Sequence, residues 1–232
     1  MTHKSSEALP ADEDKAATVQ TMFDRVARRY DLLNRMLTFG MDVRWRRKVI
    51  RDLGLAEGSL VLDLACGTGD LMAEASRAGH RAVGFDFSAG MLAAARGRRP
   101  LVRADVLAIP VRDGAADGIT CGFALRNVVD LPTLFRESAR VLRPGGRAAF
   151  LETAEPDGRM MRVGHAVYFR RVVPFVGGLV SDRAAYRYLP ASMAYLPSGD
   201  ELLGQLRAAG FADARREALS GGIAQLLMGT RS

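Results

Sequence analysis

The sequence predicts an α/β fold, in which a mostly parallel sheet of seven strands is covered by helices on both faces. From residue 59 onwards, short apolar, strand-like runs alternate with stretches of helical periodicity, as is typical of βαβ units. Two β-like runs then follow the last helix and favour an antiparallel hairpin at one edge of the sheet. A chain of 232 residues suits one such domain with insertions.

Two helices precede the alternating part. Apolar side chains recur at helical spacing from Val19 to Tyr30, so the first ordered element is predicted to be an amphipathic helix. A second helix is predicted from about Asp42 to Leu53, because Gly54 follows as a stop signal. Residues 1–16 are polar and lack the apolar segment of a secretory signal, so they are predicted to be a disordered tail.

The alternating part contains five predicted strands and three predicted helices. The strands are predicted at residues 59–66, 81–87, 101–106, 118–125 and 147–153, and the helices at about 70–78, 88–97 and 131–142. Pro-Gly-Gly at 144–146 is predicted to form the turn into the fifth strand. Residues 156–197 are predicted to be a helical insertion. A helix at 199–209 and strands at 211–219 and 222–230 complete a single domain over 17–232.

Composition and charge limit the classes of function. With 48% hydrophobic and 25% charged residues, the chain is expected to be a soluble protein with a buried core. No uninterrupted apolar run is long enough to span a bilayer. The net charge of +7 is concentrated in arginine-rich segments at 25–51 and 159–187. Such segments suit nucleic acid, anionic lipid or simply a solvated basic face.

The cysteines and histidines predict neither disulfide nor metal chemistry. Cys66 and Cys121 lie in strand-like runs, which is typical of reduced, buried thiols in a cytoplasmic protein. The three histidines have no metal-ligand spacing, so no metal site is predicted.

A glycine-rich loop follows the first predicted strand. Glycine has no Cβ and tolerates positive φ, so Gly67 and Gly69 allow a ligand to approach the main chain closely. The loop lacks the later glycine that brings a helix close to a pyrophosphate in dinucleotide enzymes. Asp63, which precedes the glycines, would accept a hydrogen bond from a loop amide or from an ammonium group. The loop therefore favours a cationic amino-acid ligand over a phosphate.

Two further strand ends supply candidates for binding a nucleoside. Asp86 lies about twenty residues after the glycines, where an acidic residue can bind both ribose hydroxyls. The alternative is that Asp86 caps the next helix, but Ser88 is better placed for that role. Asp105 and Val106 would contact adenine, or would only form a turn. These positions share the carboxyl edge of the sheet, where open α/β folds bind ligands, and together they indicate S-adenosylmethionine.

Several stretches identify a family. The chain after the tail resembles the ubiquinone/menaquinone biosynthesis C-methyltransferases, which are class I S-adenosylmethionine-dependent enzymes with a Rossmann-like sheet. The matching stretches are Phe23-Asp24, Ala27, Tyr30-Asp31, Asn34, Trp45, Phe123-Ala124-Leu125-Arg126-Asn127-Val128, residues 140–146, Leu151-Glu152, residues 186–189 and Ser192. The resemblance implies a donor site that includes Thr68. Phe87 and Gly122 are also predicted to contact the donor. A serine of the family falls here at Cys121 or Gly122, and Ala124 replaces a usual glycine.

The resemblance also implies the chemistry, which is methylation of a ring carbon on a reduced quinone. A neighbouring ring hydroxyl must ionise, and a phenolic hydroxyl has a pKa of about 10 in water. Arg126 is predicted to stabilise the phenolate directly or through a water, and Asn127 to orient it. Tyr30 is predicted to close over the donor or contact the acceptor. The alternatives are that Arg126 is an ordinary ion-pair residue and that Tyr30 is a core position of the first helix.

The insertion at 156–197 is predicted to cap the acceptor site. Its apolar side chains would suit the tail of a prenylated quinol, or would pack on the sheet; they are Met160, Met161, Val163, Val167, Phe169, Val172, Phe175 and Val176. Its arginines would give transient contact with anionic lipid at the inner face of the cell membrane. No nucleic-acid partner is predicted, because aromatic stacking motifs are lacking. The oligomeric state is left open, a homodimer included.

Three functions follow from these observations. The first is a quinone C-methyltransferase acting on demethylmenaquinol or its ubiquinone-pathway counterpart. The second is a methyltransferase for another phenolic or polyketide-like small molecule. The third is a donor-binding or nucleic-acid-associated protein without activity. The intact glycine loop and the acidic ribose-binding candidate argue against the third.

Overall fold

The fold is a seven-stranded sheet with helices on both faces. The computed structural model describes residues 12–97, 99–154, 156, 192 and 195–232, without the side chains of residues 12–18, 26, 28–30 and 33. The strands are β1 Leu60–Leu64, β2 Arg81–Asp86, β3 Leu101–Arg103, β4 Ala116–Gly122, β5 Leu142–Thr153, β6 Arg215–Leu219 and β7 Ala224–Thr230. They lie in the order β3-β2-β1-β4-β5-β7-β6.

The sheet is mostly parallel, as predicted. β1 pairs in parallel with β2 and β4, β2 with β3, and β4 with β5. The last strand of the chain, β7, lies between β5 and β6 and is antiparallel to both. The closing hairpin is therefore confirmed, and the carboxyl ends of β1 to β5 meet at one edge of the sheet.

Six described α-helices cover the sheet or its carboxyl edge. They are α1 Asp12–Leu37, α2 Met41–Leu53, α3 Asp70–Arg77, α4 Ala89–Ala94, α5 Leu131–Val141 and α6 Gly199–Ala208. The first helix begins inside the segment predicted as a tail, so the predicted limit at residue 16 is too late. The helix after β2 is shorter than predicted, because Ala95 takes an extended conformation and Gly97 has a φ of +79°.

The Pro-Gly-Gly segment lies within β5 instead of preceding it. In the pairing of β4 with β5, Ala116 lies opposite Leu142, and Gly118, two residues later, lies opposite Arg147. Residues 143–146 of β5 therefore bulge out of the ladder. Gly145 has a φ of +75°, which a residue with a side chain rarely adopts. The predicted turn residues therefore kink one long strand.

The opposite end of β4 also differs from its prediction. The strand ends at Gly122, and Phe123 has a φ of +59°. A short 3-10 turn, Leu125–Asn127, replaces the predicted last residues of the strand. This change of direction places the Arg126-Asn127 pair at the edge of the sheet rather than in it.

The core has one half on each face of the sheet. One half packs α5 and α6 against the strands, and the other packs α2 and α3. Phe135 of α5 and Phe150 of β5 form an edge-to-face pair with ring centroids 5.1 Å apart. Cys66 and Cys121 lie in opposite halves as free, buried thiols, as predicted.

The predicted cap at 156–197 falls almost entirely outside the described residues, as does the rest of the predicted tail at 1–11. Within the described part, Pro156 and Ser192 are buried. None of the helices in that part is long and apolar enough to cross a membrane.

Replacing Phe150 by alanine is expected to lower the free energy of unfolding by about 3–5 kcal/mol, because it removes a fully buried ring and leaves a cavity. Val102→Ala on β3, where the side chain is 37% exposed, is the control and should change stability by less than about 1 kcal/mol. Urea denaturation followed by circular dichroism measures both. A loss below about 1 kcal/mol for Phe150→Ala would contradict the described packing.

Candidate functional site

A cavity opens at the carboxyl ends of β1, β2 and β4, beneath the N-terminal half of α1. Its volume is about 1160 Å³ including the open mouth, enough space for a small-molecule ligand. Nine of the predicted site residues line it: Asp63, Gly67, Thr68, Asp86, Phe87, Asp105, Val106, Gly122 and Asn127. Of the other three, Gly69 and Arg126 are not among its lining residues, and the side chain of Tyr30 lies outside the described residues.

The loop between β1 and α3 turns through left-handed backbone conformations. Gly67 has a φ of +55° and lines the cavity. Gly69 has a φ of +85° and precedes α3, so it serves the turn and not the cavity wall. Ala65 and Phe123 also have positive φ, +50° and +59°, although each carries a side chain. Such backbone costs about 1–3 kcal/mol per residue and clusters at functional sites.

Asp86 is a buried carboxylate that organises two loops. One oxygen accepts a hydrogen bond from the Gly67 amide at 2.7 Å, and the other accepts from the Ser88 amide at 2.8 Å. Burial raises the pKa of Asp86, and these backbone donors oppose the shift. Ser88 caps α4 by accepting from the Met91 amide at 3.0 Å. Ser88 is thus the cap, and Asp86 lines the cavity.

Asp63 is the second buried carboxylate of the cavity. One of its oxygens accepts from the Thr120 hydroxyl at 2.7 Å, whereas the other, Oδ2, is buried and has no hydrogen-bond partner among the described residues. Burial raises the pKa of Asp63 to about 7, and the nearby charge of Asp86 adds to the shift. Burying a carboxylate oxygen without a hydrogen-bond donor is unfavourable, unless a bound ligand supplies the donor.

Asp105 and Val106, the candidates for contact with adenine, line the cavity just after β3. Asp105 follows β3, is exposed, and accepts from the Leu107 amide at 2.9 Å, so it forms the turn that was the alternative interpretation. The other carboxylate oxygen of Asp105 accepts no hydrogen bond from the described residues. Val106 and Leu107 are partly buried in the cavity wall. The turn and a contact with a ligand are therefore compatible.

Helix α1 is attached to the cavity by two carboxylates that the sequence analysis left without a role. Asp24 accepts hydrogen bonds from the Ser88 hydroxyl and, at 2.8 Å, from the Gly90 amide. Asp31 accepts from the Thr68 hydroxyl. Both residues belong to the stretches that carry the family resemblance, which was the available signal. They hold the helix across the edge of the sheet.

Arg126 lies in a buried ion pair and not in the cavity wall. It is 5% exposed, and its guanidinium donates to Glu152, which is fully buried. Its backbone amide also donates to Glu152, at 3.3 Å. Asn127, the next residue, does line the cavity. The ion-pair alternative describes Arg126 correctly, and Glu152 is a partner that the sequence analysis did not assign.

Arg46 of α2 is a cavity residue that the sequence analysis missed. It forms an ion pair with Asp42, one turn earlier in α2, and its Nη1 lies 3.3 Å from Asp70. Its guanidinium lies over the Phe123 ring, 5.6 Å from the centroid. An arginine among exposed arginines of the same helix gives no local signal of burial.

The fold is shared with solved S-adenosylmethionine-dependent methyltransferases. The structure is similar to phosphoethanolamine N-methyltransferase 2 of Haemonchus contortus in complex with S-adenosyl-L-methionine, with a TM-score of 0.61 at 14% identity over 81% of this chain and 52% of that one. It is also similar to a SAM-dependent methyltransferase of Thermotoga maritima, with a TM-score of 0.65 at 18% identity over 91% and 99% of the two chains.

The chain belongs to the ubiE/COQ5 methyltransferase family, whose model matches residues 11–231. It is 42% identical to the ubiquinone/menaquinone biosynthesis C-methyltransferase UbiE of Syntrophotalea carbinolica, over 91% of this chain and 93% of that protein. It is 44% identical to the demethylmenaquinone methyltransferase of Thermus thermophilus, over 90% of this chain and all of that protein. The predicted fold, family and enzyme class are therefore confirmed.

The raised pKa of Asp63 predicts how stability depends on pH without ligand. The folded state holds this proton more tightly than the unfolded chain, so Asp63 lowers stability as the pH rises from about 4 to about 7. Asp63→Asn cannot ionise. Its stability relative to the parent protein should therefore rise across this window, by at most about 1.4 kcal/mol per pH unit. Urea denaturation at pH 5, 6, 7 and 8 measures this, and a constant difference would contradict the assignment.

Proposed function

We propose that the protein transfers the methyl group of S-adenosylmethionine to a ring carbon of a reduced prenylated quinone. The acceptor would be demethylmenaquinol or its ubiquinone-pathway counterpart. The names of relatives that are above 40% identical over nearly the whole chain support this acceptor class. The observation that carries the proposal is the cavity itself, where two buried carboxylates at adjacent strand ends face a space closed by α1.

The donor would lie across the strand ends in a fixed direction. The strand order places Asp105 and Val106 beyond β2, Asp86 at the end of β2, and Asp63 near the end of β1. Adenine, ribose and the methionine end would occupy these positions in turn. The unpartnered oxygen of Asp63 fits the donor's ammonium group, and the lone pairs of Asp86 fit two ribose hydroxyls.

The bound donor supplies an electrophilic methyl group on sulfur. The protein's part is to exclude water and to align the acceptor ring carbon with that methyl group. Ionisation of a neighbouring ring hydroxyl makes the acceptor carbon nucleophilic. After the methyl group has moved from sulfur to this carbon, loss of the proton on the same carbon restores the aromatic ring. Holding the two reactants at near-attack distance is the largest contribution that such a site can make. Asp24 and Asp31 serve it by fixing α1 over the cavity.

Arg126 is proposed to act through Asn127. Its ion pair with Glu152 fixes the 3-10 turn at the end of β4, and this turn presents Asn127 to the cavity. The Asn127 amide would then donate to the ring oxygen that becomes negative. Pre-oriented donors of this kind stabilise developing charge without reorganisation. Arg126 is therefore a positioning residue, and Tyr30 remains a predicted contact with donor or acceptor.

The prenyl tail requires an apolar path and access to lipid. The predicted cap residues lie outside the described part of the chain. Within that part, an apolar stripe consists of Leu32 and Met36, one turn apart in α1, and Phe39 in the turn that follows; they are 56%, 45% and 78% exposed. Arg35 and Arg44 are also exposed there. An apolar stripe beside arginines suits reversible contact with an anionic lipid surface.

Incubation with labelled S-adenosylmethionine and a panel of reduced acceptors tests the function. Demethylmenaquinol and the demethylated ubiquinol precursor should acquire label on a ring carbon, whereas their oxidised forms should not, because a quinone ring has no hydroxyl to ionise. Label appearing only on another phenol or on a polyketide would replace the quinol acceptor with the second function. Absence of transfer to every acceptor, with intact donor binding, would contradict the enzymatic proposal.

Asp86→Asn is expected to weaken binding of S-adenosylhomocysteine by roughly 10- to 100-fold, because a hydrogen bond to a charged group contributes about 1.5–3 kcal/mol. Asp113→Asn is the matched control, since that carboxylate is exposed and pairs with Arg140 at 2.6 Å far from the cavity. Calorimetry measures both affinities. Unchanged affinity in a folded Asp86→Asn protein would remove Asp86 from the donor site.

Asn127→Ala is expected to lower kcat by about 10²–10³-fold, as the loss of one pre-oriented donor does. Arg126→Gln leaves the buried Glu152 without its cation and should lose about 3–5 kcal/mol of stability together with its turnover. Adding Glu152→Gln removes the stranded charge and should restore most of both. A double variant that is stable but as inactive as Asn127→Ala would instead show direct contact between Arg126 and the reacting ring.

A further inference from the structure

Arg46 is a cation within an acidic cavity. Among the described residues that line the cavity, it is the only basic one, beside the carboxylates of Asp63, Asp70, Asp86 and Asp105. It is 6% exposed. Exposed arginines are common on this helix, but a guanidinium withdrawn from water is unfavourable unless its donors find acceptors. The buried guanidinium of Arg46 therefore requires acceptors for its donors.

The guanidinium is held in place by three contacts that leave part of it available. Both ion pairs, to Asp42 and to Asp70, use the same nitrogen, Nη1. Asp42 is itself fully buried and accepts from the Thr38 hydroxyl at 2.8 Å, so it is fixed in turn. The face of the guanidinium rests over the Phe123 ring. Among the described residues, none accepts a hydrogen bond from Nη2 or Nε, so these nitrogens keep their donors for a ligand.

The position of Arg46 corresponds to one end of the proposed donor. Strands β3 and β2 supply the residues assigned to the nucleoside, so the ends of β1 and β4 remain for the amino-acid part. Arg46 lies over Phe123 at the end of β4. It also lies close enough to Asp63 for its charge to oppose the rise in that group's pKa caused by burial. An acidic and a basic side chain are thus neighbours, as an α-amino acid requires.

We propose that Arg46 binds the α-carboxylate of the donor's methionine end, while Asp63 faces the ammonium group. The guanidinium offers paired N–H donors that match the two oxygens of a carboxylate. Arg46 would then select intact donor and product over nucleosides that lack the carboxylate. The inference rests on the donor half of the proposed function and is independent of the acceptor.

Calorimetry with three nucleosides tests the assignment. S-adenosylhomocysteine has both amino-acid groups, its decarboxylated form has only the amine, and 5′-methylthioadenosine has neither. Arg46→Gln should weaken S-adenosylhomocysteine by about tenfold or more, as the loss of hydrogen bonds to a charged group does. The other two nucleosides should change by less than about threefold, because they never contact Arg46. Arg47→Gln is the matched control, since Arg47 is exposed and pairs with Glu74 at 3.5 Å.

Each outcome decides between separate claims. If Arg46→Gln binds all three nucleosides like the parent protein, or weakens all three equally, the assignment to the carboxylate is wrong. Should Arg46→Gln fail to fold because Asp42 loses its partner, Arg46→Lys replaces it, and its preference for S-adenosylhomocysteine over the decarboxylated form should fall at least threefold. A preference equal to the parent's would overturn the inference. A parent protein that binds none of the three would refute the donor site itself.

Discussion

Two carboxylates buried at the ends of adjacent parallel strands constrain the whole site. Asp86 is held by two backbone amides, and Asp63 is held by one hydroxyl and retains a buried oxygen with no donor. Keeping such groups away from water is unfavourable, and the fold accepts this cost where ligands bind in open α/β sheets. In the proposed function, the ammonium group and the ribose diol of the methyl donor supply further hydrogen-bond donors to these carboxylates.

The remainder of the site can be understood as support for this pair. The left-handed backbone at Ala65, Gly67 and Phe123 turns the chain away at the strand ends, and all three residues line the cavity. Helix α1 then covers the opening, and Asp24 and Asp31 hold it there. On the acceptor side, the buried pair of Arg126 and Glu152 fixes the turn that carries Asn127. In the proposed function, binding of the donor and orientation of the acceptor depend on different elements that meet at the end of β4.

Local patterns in the sequence predicted the sheet, its closing hairpin and most of the candidate residues that line the cavity. Apolar runs identify strands, and glycines, together with the acidic residues that end strands, identify the carboxyl edge. Contacts between distant segments were not predictable in this way. Asp24 meets Ser88 across 64 residues, Asp31 meets Thr68 across 37, and Arg126 meets Glu152 across 26. Only the assembled fold revealed that Arg126 is buried in an ion pair, and that Arg46, one of several arginines in α2, faces the cavity.

The central claim is that a sulfonium nucleoside lies across the ends of β3, β2 and β1 with its sugar on Asp86. A crystal structure of the protein with S-adenosylhomocysteine tests this most directly. The account predicts both ribose hydroxyls within hydrogen-bond distance of Asp86 and the amino group beside Asp63. A nucleoside bound elsewhere, or bound in the reverse direction along the strand ends, would contradict it.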